Sequence, residues 1–202
     1  MTRLLTVFLA LGLVACTTVP PAPQRTPEEL SQLWQHHRKV VLQWHAWSLE
    51  GRIAVNTEND GWSGELQWSQ SPTGFQIHFS APFGQGAFQL VSNSLGVEMR
   101  TSDGKHFQAS DAESLLQQHL GWQLPLDAFR YWVTGLPAPG TDAQLKFNAD
   151  GQLAELDQEQ WHVSYPAYMN VGTDMMPRKI FLKNPMLGVR LVIDHWTQEF
   201  HG

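Results

Sequence analysis

Between Trp47 and Met99 apolar residues recur at every second position. WSLEGRIAV places Trp47, Leu49, Ile53 and Val55 on one side, and GWSGELQWSQ places Trp62, Gly64, Leu66 and Trp68 opposite Ser63, Glu65 and Gln67. GFQIHFS repeats the pattern with Phe75, Ile77 and Phe79, GAFQLVS with Phe88 and Leu90, and LGVEMR with Leu95, Val97 and Met99. A period of two sends alternate side chains to opposite faces of a strand, so each segment reads as a strand with one wet and one apolar face. Turn residues separate them at Glu58-Asn59-Asp60-Gly61, Ser71-Pro72-Thr73-Gly74, Pro82-Phe83-Gly84, Ser92-Asn93-Ser94 and Asp103-Gly104. Short breaks between half-buried strands predict an antiparallel meander. The pattern resumes in AQLKFN, QLAELDQ, WHVSYPAY, RKIFLKN and GVRLVIDHW, giving ten or eleven strands in all.

Three stretches change period. TPEELSQLWQHHRKVVLQWHAW sets Leu30, Leu33/Trp34, His37, Val41 and Trp44 at helical spacing, with Thr26 as N-cap, Pro27 at the first position and two acids behind it. Ser110 and Glu113 have the spacing of a capping box at the head of DAESLLQQHLG, which stops at Gly121. PLDAFRYWVTG carries the stripe Leu126, Phe129, Trp132 and Val133. So many strands with one apolar face curl into a half or full barrel, and amphipathic helices must cover that face. The predicted fold is mainly β with an α lid. Periodicity leaves open whether the interior is filled by side chains or hollow.

The first residues have another purpose. Arg3 followed by the apolar run Leu4–Leu13 is too short to span a bilayer and reads as a signal peptide over residues 1–15. It ends in Leu13-Val14-Ala15-Cys16, which resembles the bacterial lipobox, where the thiol receives diacylglycerol and the new amine is acylated. Cys16 is the only cysteine, so no intrachain disulfide forms and the thiol is free for lipidation. Two or more acyl chains anchor a protein stably, and Thr17 rather than Asp after Cys16 is read as outer-membrane delivery. Residues 16–27 form a lipidated, Pro-rich tether, and 28–202 a single domain.

Composition narrows the function. A net charge of −6, with only Arg38-Lys39 and Arg178-Lys179 as adjacent cations, excludes a nucleic-acid surface. Nine Trp and ten Phe instead call for wide apolar surfaces. No catalytic constellation emerges: GWSGE lacks nucleophile-elbow spacing, and no P-loop, His-Glu-x-x-His or dinucleotide fingerprint is present. His36, His37 and His45 lack a carboxylate or cysteine at ligand spacing, so no metal and no cofactor is expected. Asp111, Glu113 and Asp127 suit helix N-termini, and His162 and His195 fall within strands as structural residues.

Taken in order, the lipobox, W-x-L-x-G-R-I-A-V, S-G-x-L-x-W, A-P-F-G, D-A-x-x-L-L-x-x-x-L-G-x-x-L-P, Y-W-V-T-G-L-P, W-x-V-x-Y (Trp161–Tyr165), Met176-Pro177 and V-I-D-H-W cover nearly the whole mature chain. This series resembles the LolB family of outer-membrane lipoprotein receptors. The resemblance implies an unclosed antiparallel barrel, a helical lid and an apolar cavity. It implies a non-enzymatic, monomeric protein that takes lipoprotein cargo from a LolA-like carrier and releases it into outer-membrane phospholipid, its body facing the periplasm. The expected cavity residues are Trp62, Leu66, Trp68, Ile77, Phe79 and Phe88, with Trp34, Trp44, Phe129 and Trp132 from the lid. The family places an exposed apolar residue, usually Leu, between Pro and Gly on an early loop. Here Phe83 stands between Pro82 and Gly84, apolar but bulkier, as the membrane-insertion tip. Two other readings are a soluble LolA-like carrier, against which the lipobox argues, and an anchored periplasmic enzyme or envelope scaffold.

Overall fold

The computed structural model describes residues 25–84 and 86–199; the expected signal peptide, Cys16 and most of the expected tether lie outside the described residues. Eleven strands form one antiparallel sheet: β1 (Trp47–Thr57), β2 (Gly61–Ser71), β3 (Gly74–Ser80), β4 (Ala87–Asn93), β5 (Gly96–Thr101), β6 (His106–Ala109), β7 (Gln144–Phe147), β8 (Leu153–Gln158), β9 (Trp161–Val171), β10 (Asp174–Lys183) and β11 (Leu187–Gln198). The spatial order is β6-β5-β4-β3-β2-β1-β11-β10-β9-β8-β7, so the first and last strands pair at the centre. The two outer strands, β6 and β7, do not pair with each other and the barrel stays unclosed. His106–Ala109, too short to stand out by alternation, is the strand beyond the ten motifs.

A bulge sets the inward face of the central pair. The β1–β11 register jumps at Glu50/Gly51, leaving Asp194 as the extra residue. Val189, Leu191 and Ile193 are buried before the jump and Trp196 after it, so the extra residue turns the tryptophan inward. Gly51 makes the crossing possible: a Cβ there would lie 2.2 Å from the Val192 carbonyl oxygen.

Helix α1 (Pro27–Val41) begins as expected. The Thr26 hydroxyl accepts from the Glu29 N–H at 3.2 Å, and the Glu29 carboxylate accepts from the Thr26 N–H at 2.7 Å, closing a capping box. The helix stops before Trp44, which sits in the turn into β1 and is nonetheless buried. Helix α2 (Ala112–Leu120) is capped by Asp111, not Ser110; Asp111 Oδ1 accepts from the Ser114 N–H at 2.8 Å. That bond holds the Asp111 carboxyl below its ordinary pKa, and Glu113 falls one position short of a box. Helix α3 (Leu126–Trp132) buries Leu126, Ala128, Phe129 and Trp132. Leu95 is not on the apolar face: it is 95% exposed. Its N–H donates to Asn93 Oδ1 at 2.8 Å in the turn before β5, which places its side chain outside the pleat.

The loops after β1, β3, β5, β8 and β10 gather at one end of the sheet, by the registers of the paired strands. Arg25 lies at the other end, where its guanidinium donates to the Ala149 carbonyl at 2.6 Å in the turn between β7 and β8.

Candidate functional site

The inner face of the sheet and the α2–α3 segment enclose a cavity of about 30 Å³. Ile53, Leu66, Trp68, Ile77, Phe79, Phe88 and Leu90 line it from the sheet. Leu116, Trp122, Leu124, Leu126 and Phe129 line it from the helical segment. The volume holds no more than a water or two, and a lining of apolar side chains keeps such a space dry. The interior is therefore closed over by the helices, with a small void where they meet the sheet.

Local geometry explains why the helical segment reaches so far in. Helix α2 ends at Gly121, whose φ of 72° lets the Gly121 N–H donate to the Gln117 carbonyl and the Trp122 N–H to the Leu116 carbonyl. This left-handed stop turns the chain back under its own helix and drives Trp122 against the sheet. The Trp122 ring packs edge-on to Trp62 at 6.0 Å, Phe79 at 6.1 Å and Phe88 at 5.8 Å. From α3, Phe129 meets Trp68 at 5.4 Å. Phe79 and Phe88 stack at 5.1 Å as cross-strand partners.

Of the residues expected at the cavity, Leu66, Trp68, Ile77, Phe79, Phe88 and Phe129 lie on its wall. Trp62 is half-buried at the rim against Trp122. The structure does not bring the other three there. Trp34 on α1 packs on Phe147 at 5.7 Å, Trp44 on Trp196 at 6.4 Å, and Trp132 on Trp161 at 5.8 Å. Helix α1 covers the β10 side of the sheet, so Trp34 belongs to the other half of the core. Six wall residues fall outside the expected set: Ile53 and Leu90 from the sheet, Leu116 and Leu126 from the helices, and Trp122 and Leu124 from the linker between two helices. The visible signal there was a large aromatic held between a glycine stop and Pro125.

The loop after β3 is built for display. Pro82–Gly84 forms a single 3₁₀ turn in which Phe83 adopts φ 56°, ψ 24°, the left-handed region. The Ala81 N–H donates to the Gly86 carbonyl at 2.8 Å and pinches the loop. Phe83 is 98% exposed. A bulky L-residue in this conformation costs about 1–2 kcal/mol, so the fold holds an aromatic in water at the expense of backbone strain. At the same end, Met186 in the loop after β10 is 61% exposed. A much larger concavity, about 550 Å³, opens on the outer face of the sheet beside Pro82. It carries Arg52, Glu65 and Arg190, a charged lining unsuited to hydrocarbon. Among the described residues no group of three or more His, Cys, Asp or Glu is placed to hold a metal ion.

A curled, unclosed antiparallel sheet over an apolar interior, roofed by helices, is a fold shared with solved structures. A LolA superfamily protein from Nitrosomonas europaea superposes with a TM-score of 0.54 over 88% of this chain and 96% of its own, at 9% identity. A DUF1329 family protein from Desulfovibrio piger gives 0.50 over 85% and 92%, at 8% identity. Sequence comparison narrows the class. The family model for outer membrane lipoprotein LolB matches residues 45–196. The outer-membrane lipoprotein LolB of Nitrosococcus oceani is 37% identical over 96% of both chains, and that of Stutzerimonas stutzeri 33% identical over 96% of this chain and 94% of its own. The chain belongs to the LolB family.

Proposed function

We propose that this protein is the lipid-anchored outer-membrane receptor that accepts lipoproteins from a LolA-type carrier and inserts them into the membrane. It works as a monomer with its body in the periplasm, anchored through acylated Cys16. The carrying observation is the apolar space between the sheet and the α2–α3 segment, closed by five large side chains from that segment.

Cargo enters by exchange. Opening the lid strips Leu116, Trp122, Leu124, Leu126 and Phe129 from the sheet, at about 1.5–3 kcal/mol each. An acyl chain of about fifteen methylenes returns roughly 12 kcal/mol at ~0.8 kcal/mol per buried CH2. Relative to chains in water, burial of one to two chains thus offsets the opening. Phe83 and Met186, both exposed at one end, then carry that end into the lipid, with Pro82 and Gly84 shaping the tip.

The anchor constrains this pose. Arg25 is tied to the opposite end of the sheet from Phe83. Nine residues from Cys16 to Arg25 reach at most about 32 Å, against the roughly 36 Å length of an eleven-residue strand such as β2. A nearly fully extended tether or a body leaning along the membrane lets Phe83 touch the leaflet that holds Cys16.

The test is depletion in cells. Other outer-membrane lipoproteins should accumulate in the periplasm bound to their carrier; unchanged lipoprotein delivery during depletion refutes the proposal.

A further inference from the structure

Two polar atoms on side chains that line the cavity have no partner. The indole N–H groups of Trp68 and Trp122 are buried, and among the described residues no acceptor lies within hydrogen-bond reach of either. The side chains are 2% and 3% exposed, and both line the cavity. Among other buried indoles, Trp132 Nε1 donates to Gln158 Oε1 at 2.8 Å and Trp196 Nε1 donates to the Pro177 carbonyl at 2.9 Å, while Trp34 Nε1, away from the cavity, is also without a partner among the described residues. Trp122 meets Trp62, Phe79 and Phe88 edge-on, and aromatic faces are weak acceptors. A phenylalanine would fill most of the same space without leaving a donor unmet in an apolar site.

We infer that Trp68 and Trp122 donate to the ester and amide carbonyls at the head of bound acyl chains, a role that rests on the cavity being the acyl site. The cavity then selects carbonyl-bearing chains over bare hydrocarbon. Trp122 packs on the row formed by Phe79 and Phe88; Trp68 lies one row further along, opposite Ile77. Trp68 belongs to the sheet wall and Trp122 to the segment that lifts from it, so the two indoles meet the cargo from opposite walls and each serves a different carbonyl. An N-terminal cysteine bearing a diacylglycerol and an N-acyl group offers three within a few bonds of one another. A chain that is only hydrocarbon gains burial but leaves both donors unmet. Acyl cargo gains the same burial and satisfies them.

The test compares 1,2-dioctanoylglycerol with 1,2-di-O-octylglycerol, which differ only in the two carbonyls. Each displaces 1-N-phenylnaphthylamine from the folded mature domain. The diester should bind about 5- to 30-fold tighter than the diether, one to two hydrogen bonds' worth. In W68F/W122F the ratio should fall toward one whatever the absolute affinities, so volume lost with the indoles does not confuse the reading. Equal affinities in the wild type overturn the inference while leaving the acyl cavity standing, and so does a ratio unchanged by the double substitution. Failure of both ligands to displace the probe overturns the acyl cavity and the inference together. If the double variant does not fold, the wild-type ratio alone decides.

Discussion

Replacing Phe83 by Glu separates folding from membrane delivery. The side chain is 98% exposed, so its removal breaks no packing and stability should change by no more than about 0.5 kcal/mol. Delivery is another matter. Burying the phenyl ring in lipid contributes about 1.5–3 kcal/mol, and a carboxylate in its place is repelled from hydrocarbon. At 1.4 kcal/mol per decade the loss amounts to about 10- to 100-fold in the transfer of cargo from the receptor to liposomes. Loading of the receptor from the carrier should be unchanged. Two further variants isolate the cause. Phe83→Leu keeps an apolar tip and should deliver within a few fold of wild type. Phe83→Gly removes the left-handed strain at φ 56° and should raise stability by about 1 kcal/mol, yet deliver as poorly as the Glu variant. The assay loads purified protein with a lipidated peptide, adds liposomes and follows the peptide into the vesicle fraction while urea titration reports stability. Delivery at the wild-type rate by either the Glu or the Gly variant refutes the reasoning.

The two-residue turn between β8 and β9 places Glu159 and Gln160 at φ 51° and 66°, a geometry that favours glycine at its second position. Gln160→Gly should raise the urea midpoint by an amount equivalent to about 0.5–1 kcal/mol. Gln158 is buried and bonds Trp132 Nε1, the Ala138 N–H, and the Ala138 and Thr141 carbonyls; Gln158→Leu should lower unfolding free energy by about 3–5 kcal/mol, measured by urea denaturation, because several groups are stranded at once. Burial pushes the His37 imidazole below its ordinary 6.5, opposed by the Thr134 backbone and Asp174. The unfolded chain therefore binds the proton more readily than the folded one, and stability falls as pH drops through 6.5. Urea midpoints measured from about pH 7.5 to about 5 should fall in the wild type and fall less in His37→Gln.

Much of this architecture is legible without coordinates because strand alternation is local. Leu66 and Trp68, or Ile77 and Phe79, face inward in the sequence pattern and in the fold. The Thr26 cap is equally local, needing only Glu29 three residues on. The exposure of Phe83 follows from Pro and Gly on either side of it, between strands whose inner face is already full. Departures at element ends arise where a neighbouring side chain captures a backbone N–H and resets the turn. Leu95 matches the parity of Val97 and Met99, but Asn93 captures its N–H and turns the chain before the strand begins. Ser110 and Glu113 have capping-box spacing, yet Asp111 captures the Ser114 N–H.

By itself, then, the sequence determined the strands, their apolar face, the helical cover and the family, since each depends on neighbours a few residues apart or on motifs in order. Only the tertiary structure decided which tryptophans share a wall. Trp34, Trp44 and Trp132 are as apolar as Trp68 but pack against Phe147, Trp196 and Trp161, while Trp122 reaches the cavity from a linker. It also decided that the interior is closed down to about 30 Å³. Periodicity states which way a side chain points; what it meets there depends on how helices and sheet close over one another, and that is settled by packing between residues far apart in the chain.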